Sequence, residues 1–346
     1  MGGVGTRAYA AHGAGAAAAQ GRSVAMKTSR KRWRRVRRIV FFAFLALVAF
    51  LLVRYGRSVD WAQVGATLRG YDAGTLAMAL ALAAGSYLLY SCYDLAARRY
   101  ARHTLATPRV MAISVVAYAF SLNVGALVGG AGFRYRLYSH AGLGLGTIGR
   151  IVAFTIGTNW MGYLLLAGAL FASGLVRTPP HWPVGGAGLP WLGAAMLLAV
   201  AGYLLACHVW RGRVLHVRGH HLRLPPVPLA LLQLALAAGN WALMGALLFV
   251  LMPAGVDYAS VLGALLVAAV ASAIAHIPAG IGVLEAVCIP LLAHQAPQPQ
   301  VLAALLAYRA CYYLGPLLLA LAGYALLEAR RRRGAAGSAT PPRAAP

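Results

Sequence analysis

Long apolar stretches, separated by short segments that carry arginine, set the pattern of this chain. Six of them, at 39–54, 74–97, 151–176, 188–210, 228–252 and 300–327, run unbroken for about the length a helix needs to cross a bilayer. The first is short, and Arg38 and Arg54 at its ends can reach the interface by snorkelling. Two further stretches, 110–147 and 258–295, behave differently. Each begins as an apolar helix, breaks at Gly or Pro, and resumes as a shorter or more polar helix. Both are 38 residues long, with two helices before and one long helix after. The chain thus reads as two copies of one plan, residues 39–176 and 188–327, within a single transmembrane domain over 36–328. The aperiodic flanks, 1–35 and 329–346, are predicted to be disordered basic tails. The charged front before 39–54 looks like a signal peptide, but it begins late and lacks a small-residue cleavage site, which predicts a retained anchor.

Arginine placement decides how the interrupted stretches sit. If their first arms crossed fully, the loop His208–Arg223, with four arginines, would lie outside. If each stretch is instead a re-entrant hairpin, the clusters at 22–38, 98–109, 150, 211–223 and 330–333 all fall on the cytoplasmic side. Only Arg54, Arg57, Arg69 and Arg177 then remain outside. The excess of Arg in cytoplasmic loops favours the hairpins. Each copy then has three crossings, an odd number, so the second is inverted. The predicted fold is an all-α polytopic membrane protein of two inverted repeats, each with three spanning helices and one re-entrant helical hairpin. Both termini fall in the cytoplasm. Broken helices from inverted repeats, meeting within the bilayer, are the architecture of secondary transporters.

Composition agrees with a membrane chain: 61% of the 346 residues are hydrophobic and 11% charged, far from soluble proportions. The net charge of +25 is almost all arginine beside apolar runs, a topology signal and an attraction to anionic lipid. No nucleic-acid-binding motif accompanies it, so nucleic acid is not an expected partner. Cys92, Cys207, Cys288 and Cys311 lie singly in apolar context and read as small buried hydrophobes.

Only six acids are present. Asp60, Asp72, Asp257 and Glu328 read as surface charges, and Asp94 as an i,i+4 partner of Arg98. Glu285 sits among apolar residues just past the second break, where a lone carboxylate is costly. Arg309 is similarly embedded, and Arg134 and Arg136 follow the first break. These four suggest one shared site, with Glu285 paired to Arg134, Arg136 or Arg309; a purely structural Glu–Arg pair is the competing account. Among the tyrosines nearby, Tyr138, Tyr308 and Tyr312 are the cavity candidates. His216, His220 and His221 lie in a basic loop without Cys or carboxylate, so no metal is expected. His276, beside Pro278, could bond backbone carbonyls freed by the break. No nucleophile or phosphate-loop motif is present, no cofactor is called for, and the chain is not expected to be an enzyme.

Three segments, SLNVGALVGGAGFRYRLY, IPAGIGVLEA and YRACYYLGP, resemble the membrane (flippase) region of the lysylphosphatidylglycerol synthase family. The resemblance covers about 39–327. Arg134, Arg136, Glu285, Arg309, Tyr312 and Pro316 fall on positions that recur in the family, as do Gly129, Gly130, Gly280 and Gly282. Ala279 departs from it, since glycine is commoner there, and implies a stiffer second tip. After Glu328 the chain passes through an arginine run into its tail, so the resemblance implies handling a lipid rather than synthesising lysyl-phosphatidylglycerol.

The expected function is a bacterial inner-membrane lipid translocase for an anionic or aminoacylated phospholipid, or a polyprenyl-linked lipid. The alternative is a non-transporting partner of a lipid synthase or glycosyltransferase. The predicted substrate contacts are Asn123, Arg134, Arg136, Tyr138, Glu285, Arg309 and Tyr312, with hairpin tips at Gly129, Gly130, Gly132, Pro278, Gly280 and Gly282. Arginine suits a phosphate because its planar fork pairs two oxygens at once. Partners implied are membrane phospholipid, that synthase or glycosyltransferase, and a second copy of the chain.

Overall fold

The computed structural model describes residues 60–176, 188–210, 214–217, 220–275, 277 and 280–323. The expected span 39–54, both tails, His276, Pro278 and Ala279 lie outside them.

A short helix, α1 (Trp61–Arg69), precedes the first described span, α2 (Ala73–Ala101). Asp60 and Asp72, expected on the surface, cap these two helices by accepting from amides of their first turns. The hydroxyl and amide of Thr75 hold the Asp72 carboxyl below its ordinary pKa. The first interrupted stretch forms α3 (Thr107–Val124), a π-helical turn over Ala126–Ala131, and α4 (Gly132–His140). Three long helices follow: α5 (Leu145–Ala172), α6 (Gly188–Val209) and α7 (Val227–Val250). The second interrupted stretch forms α8 (Tyr258–Ala275) and α9 (Val283–Leu292), and α10 (Gln298–Gly323) closes the set with a π-helical turn at Ala310–Leu314. Proline opens α3, α7 and α10, where its missing amide costs no hydrogen bond.

Seven of these helices (α2, α3, α5, α6, α7, α8 and α10) are long and apolar enough to span a membrane. Among the described residues the regular structure is helical except for a small antiparallel hairpin between α6 and α7. Its strands, β1 (Val214–Val217) and β2 (His220–Arg223), set His216 opposite His221.

Residues with small or polar side chains hold the bundle together, as lipid-embedded packing requires. α2 packs along α7, and α5 along α6 and α7. Gly162 of α5 lies so close to α7 that a Cβ there would overlap Ala237. The Ser86 hydroxyl of α2 donates to Asn240 of α7 at 2.7 Å. Gln233 of α7 donates to Thr158 of α5 at 2.7 Å and accepts from Tyr203 of α6 at 2.6 Å. Each of these groups would be expensive in hydrocarbon without its partner.

Both interrupted stretches fold back as helical hairpins: the π-turn and α4 pack on α3, and α9 packs on α8. The first chain reversal is made at Gly125, at φ 102°, a conformation only glycine adopts readily. Gly129 and Gly130, predicted as the tip, serve another purpose. They lie in the returning arm, and a Cβ at Gly129 would overlap the Phe120 carbonyl of α3, so glycine there permits close approach of the two arms. Gly132 opens α4. At the second break Gly280 and Gly282 have φ of 56° and 81°, left-handed values that glycine adopts readily.

Candidate functional site

The two breaks share one cavity of about 450 Å³. Ser121, Gly125, Ala126, Gly130 and Arg134 of the first hairpin line it, together with Ser272, Ile277, Gly280 and Leu284 of the second. Tyr90 of α2, Trp160 of α5, Trp241 of α7 and Tyr313 of α10 complete its aromatic wall. It is therefore mostly apolar, with polar groups confined to the hairpins and a few hydroxyls and amides.

Each hairpin is braced by an arginine–carboxylate pair. In the first, Arg134 is 4% exposed and Asp94 fully buried. The arginine donates to Asp94 through Nε at 3.2 Å and Nη2 at 3.0 Å, and the Tyr138 hydroxyl donates to the same carboxylate at 2.9 Å. Asp94 is therefore not the partner of Arg98. Arg98 instead donates to the Leu105 carbonyl at 3.1 Å and the Thr107 hydroxyl at 2.9 Å. Arg98 is half-buried and occupied by the α2–α3 connection, whereas Arg134, on the returning arm, is buried beside Asp94 and reaches it with both Nε and Nη2, so the carboxylate pairs there.

In the second, Arg309 of α10 donates to Glu285 of α9 through Nε at 2.8 Å and Nη2 at 3.1 Å. The same Nη2 donates to the Gly280 carbonyl at 2.9 Å, and Glu285 accepts from the Gly282 amide at 3.0 Å. The pair thus binds directly to the backbone of the break, supplying partners that helical hydrogen bonding no longer provides there. Of the three partners considered for Glu285, the structure selects Arg309.

The predicted contacts divide clearly. Arg134 lines the cavity. Glu285 and Arg309 stand behind its wall, holding Gly280. Asn123 donates to the Ala119 and Tyr313 carbonyls, tying the first hairpin to α10. Tyr138, Tyr308 and Tyr312 are fully buried between helices and do not line the cavity; Arg136 is exposed outside it. Sequence reasoning missed a hydroxyl-rich aromatic face on α2. Tyr87, Tyr90 and Asp94 follow i, i+3, i+7 spacing on that helix, the signal that could have found it. Tyr90 stacks on Tyr118, whose hydroxyl is 2.7 Å from that of Tyr312, which in turn is 2.6 Å from Ser86. This chain of contacts runs from the first ion pair toward α10.

The family model for the lysylphosphatidylglycerol synthase TM region matches residues 38–320. The chain belongs to that family. It is also similar to Inner membrane protein YbhN of Escherichia coli, at 46% identity over 309 residues, covering 89% of this chain and 97% of the relative. An uncharacterized Synechocystis protein, slr0712, is 32% identical over 281 residues, covering 79% of this chain and 86% of that one. The matched span contains Arg134, Glu285 and Arg309, the residues that brace the two hairpins.

Proposed function

We propose that this protein is a lipid translocase of the bacterial inner membrane, handling an anionic or aminoacylated phospholipid or a polyprenyl-linked lipid. The observation that carries this reading is the convergence of both helix breaks on one largely apolar cavity. Non-helical backbone at membrane depth is tolerated where it is buried or lines such a cavity, and transporters place their substrates there. On this reading the hairpins are re-entrant, the two repeats inverted, and both termini cytoplasmic. The protein is then a carrier and not a catalyst. Arg134 already shares its Nε and Nη2 with Asp94 and directs Nη1 to the Gly130 carbonyl at 3.5 Å, so a phosphate in the cavity would compete with that long contact at Nη1.

The test is lipid movement in liposomes that contain the purified protein and fluorescent or aminoacylated phospholipid. Scrambling is expected well above the rate in protein-free vesicles. Ala269→Trp, which fills the cavity, is expected to slow it several-fold in protein that still folds. Wild-type scrambling no faster than the protein-free rate overturns the reading. It would favour a non-transporting partner of a lipid synthase or glycosyltransferase, a role compatible with the bracing geometry of the ion pairs.

The topology has its own expected result. Cysteines introduced into 208–223, in a background lacking the four native cysteines, should react with impermeant thiol reagents only from the cytoplasmic side. Labelling from outside would mean that α3 and α8 cross fully and would remove the inverted repeat.

A further inference from the structure

A second and larger groove, about 940 Å³, lies away from the central cavity at the ends of α2, α5 and α7. Arg99 and Arg102 come from the end of α2, Arg150 from the beginning of α5, and Arg223 from the end of β2. All four are exposed, and no acidic residue lines the groove. Its other wall is apolar, formed by Leu224, Pro226, Pro228, Leu229 and Leu232 at the start of α7. The Tyr100 hydroxyl donates to the Arg223 carbonyl at 2.6 Å, so β2 is fastened to α2 and the groove has a fixed edge.

Two features of this groove have no explanation in the fold. Four cations face one space with no carboxylate among them, a repulsive arrangement that an anion would relieve. Arg102 also holds φ 55°, among the described residues the only non-glycine with positive φ. Such a helix C-cap position normally takes Gly or Asn, and an arginine kept there spends backbone strain to place its side chain.

We propose that this groove binds the phosphate head group of an anionic phospholipid, with the acyl chains lying along Leu229 and Leu232. The chemistry recognised is a phosphate ester, which arginine forks pair through two oxygens. Basic pockets between membrane helices at an arginine-rich surface take such head groups. The lipid is the source favoured here because the groove joins its charge to an apolar wall at the ends of membrane-length helices. The site stands whether or not the central cavity moves lipid.

The full-length protein, purified in detergent and delipidated, is titrated with cardiolipin, phosphatidylglycerol or phosphatidylcholine, and bound lipid is counted by native mass spectrometry. Arg99→Gln with Arg223→Gln is compared with a charge-matched control, Arg69→Gln with Arg109→Gln, both outside the groove. The groove pair is expected to lower apparent cardiolipin affinity about tenfold or more, since each interfacial arginine contributes substantially to anionic-lipid attraction. The control should change it less than about twofold, and phosphatidylcholine binding should not change. Arg102→Gly separates binding from folding: it relieves the positive φ, so thermal stability should hold or rise while cardiolipin affinity falls. Equal losses in the groove and control pairs overturn the proposal in favour of general surface charge. Competition by millimolar inorganic phosphate that matches cardiolipin binding overturns the lipid in favour of a free anion.

Discussion

Asp94→Asn is expected to lower stability by about 3–5 kcal/mol, because removing one member of a buried pair strands the other charge. Arg134 would remain 4% exposed with no full counter-charge, and Tyr138 would lose its ionised acceptor. The appropriate control is Asp72→Asn. Asp72 caps α2, and asparagine is as good a cap, so that change should cost little. The double variant Asp94→Asn with Arg134→Gln removes both charges and should cost less than the sum of the single changes. Thermal and denaturant unfolding in detergent, followed for all four proteins, measures this. Equal tolerance of Asp94→Asn and Asp72→Asn would show that Arg134 does not depend on the carboxylate.

Gly129→Ala should be nearly as damaging, at about 3 kcal/mol, the upper part of the usual range for overpacking. The added methyl would meet the backbone of Phe120 and Ser121, and no side-chain rotation can clear it. The two arms of the first hairpin would have to separate, moving Gly130 and Arg134 at the cavity wall. Gly157→Ala provides the contrast. Its Cβ would enter open space on α5, so the change should be neutral or gain up to about 1 kcal/mol through helix entropy. Comparable unfolding temperatures for the two variants would refute the close-approach account of Gly129.

What each ion pair holds together follows from its surroundings. Arg309–Glu285 bonds the backbone of the second break itself, at Gly280 and Gly282, so it holds that break ordered. Arg134–Asp94 joins α4 to α2 and faces the cavity. A substrate phosphate that drew Arg134 from Asp94 would loosen the first hairpin and leave the second braced. Binding and hairpin movement would then be coupled.

The sequence by itself determined that this is a membrane-spanning helical chain, where the long helices among the described residues run, and where two stretches break. Hydrocarbon imposes a length and a composition on any span, and Gly or Pro inside an apolar run is visible without coordinates. Family membership was legible for a related reason: the residues around the breaks form distinctive strings. The short helix α1 was overlooked, although Asp60 and the apolar Trp61, Val64 and Leu68 signal it locally. Only the tertiary structure decided which charges pair, which aromatics line the cavity and which glycine turns the chain. Asp94 and Arg134 are 40 residues apart, and nothing in local spacing favours their contact over that of Asp94 with Arg98. Gly125 and Gly129 look alike in sequence, but one turns the backbone and the other makes room for a neighbouring arm. Local pattern records the solvent each segment must satisfy; partner choice depends on how distant segments meet, which no local pattern contains.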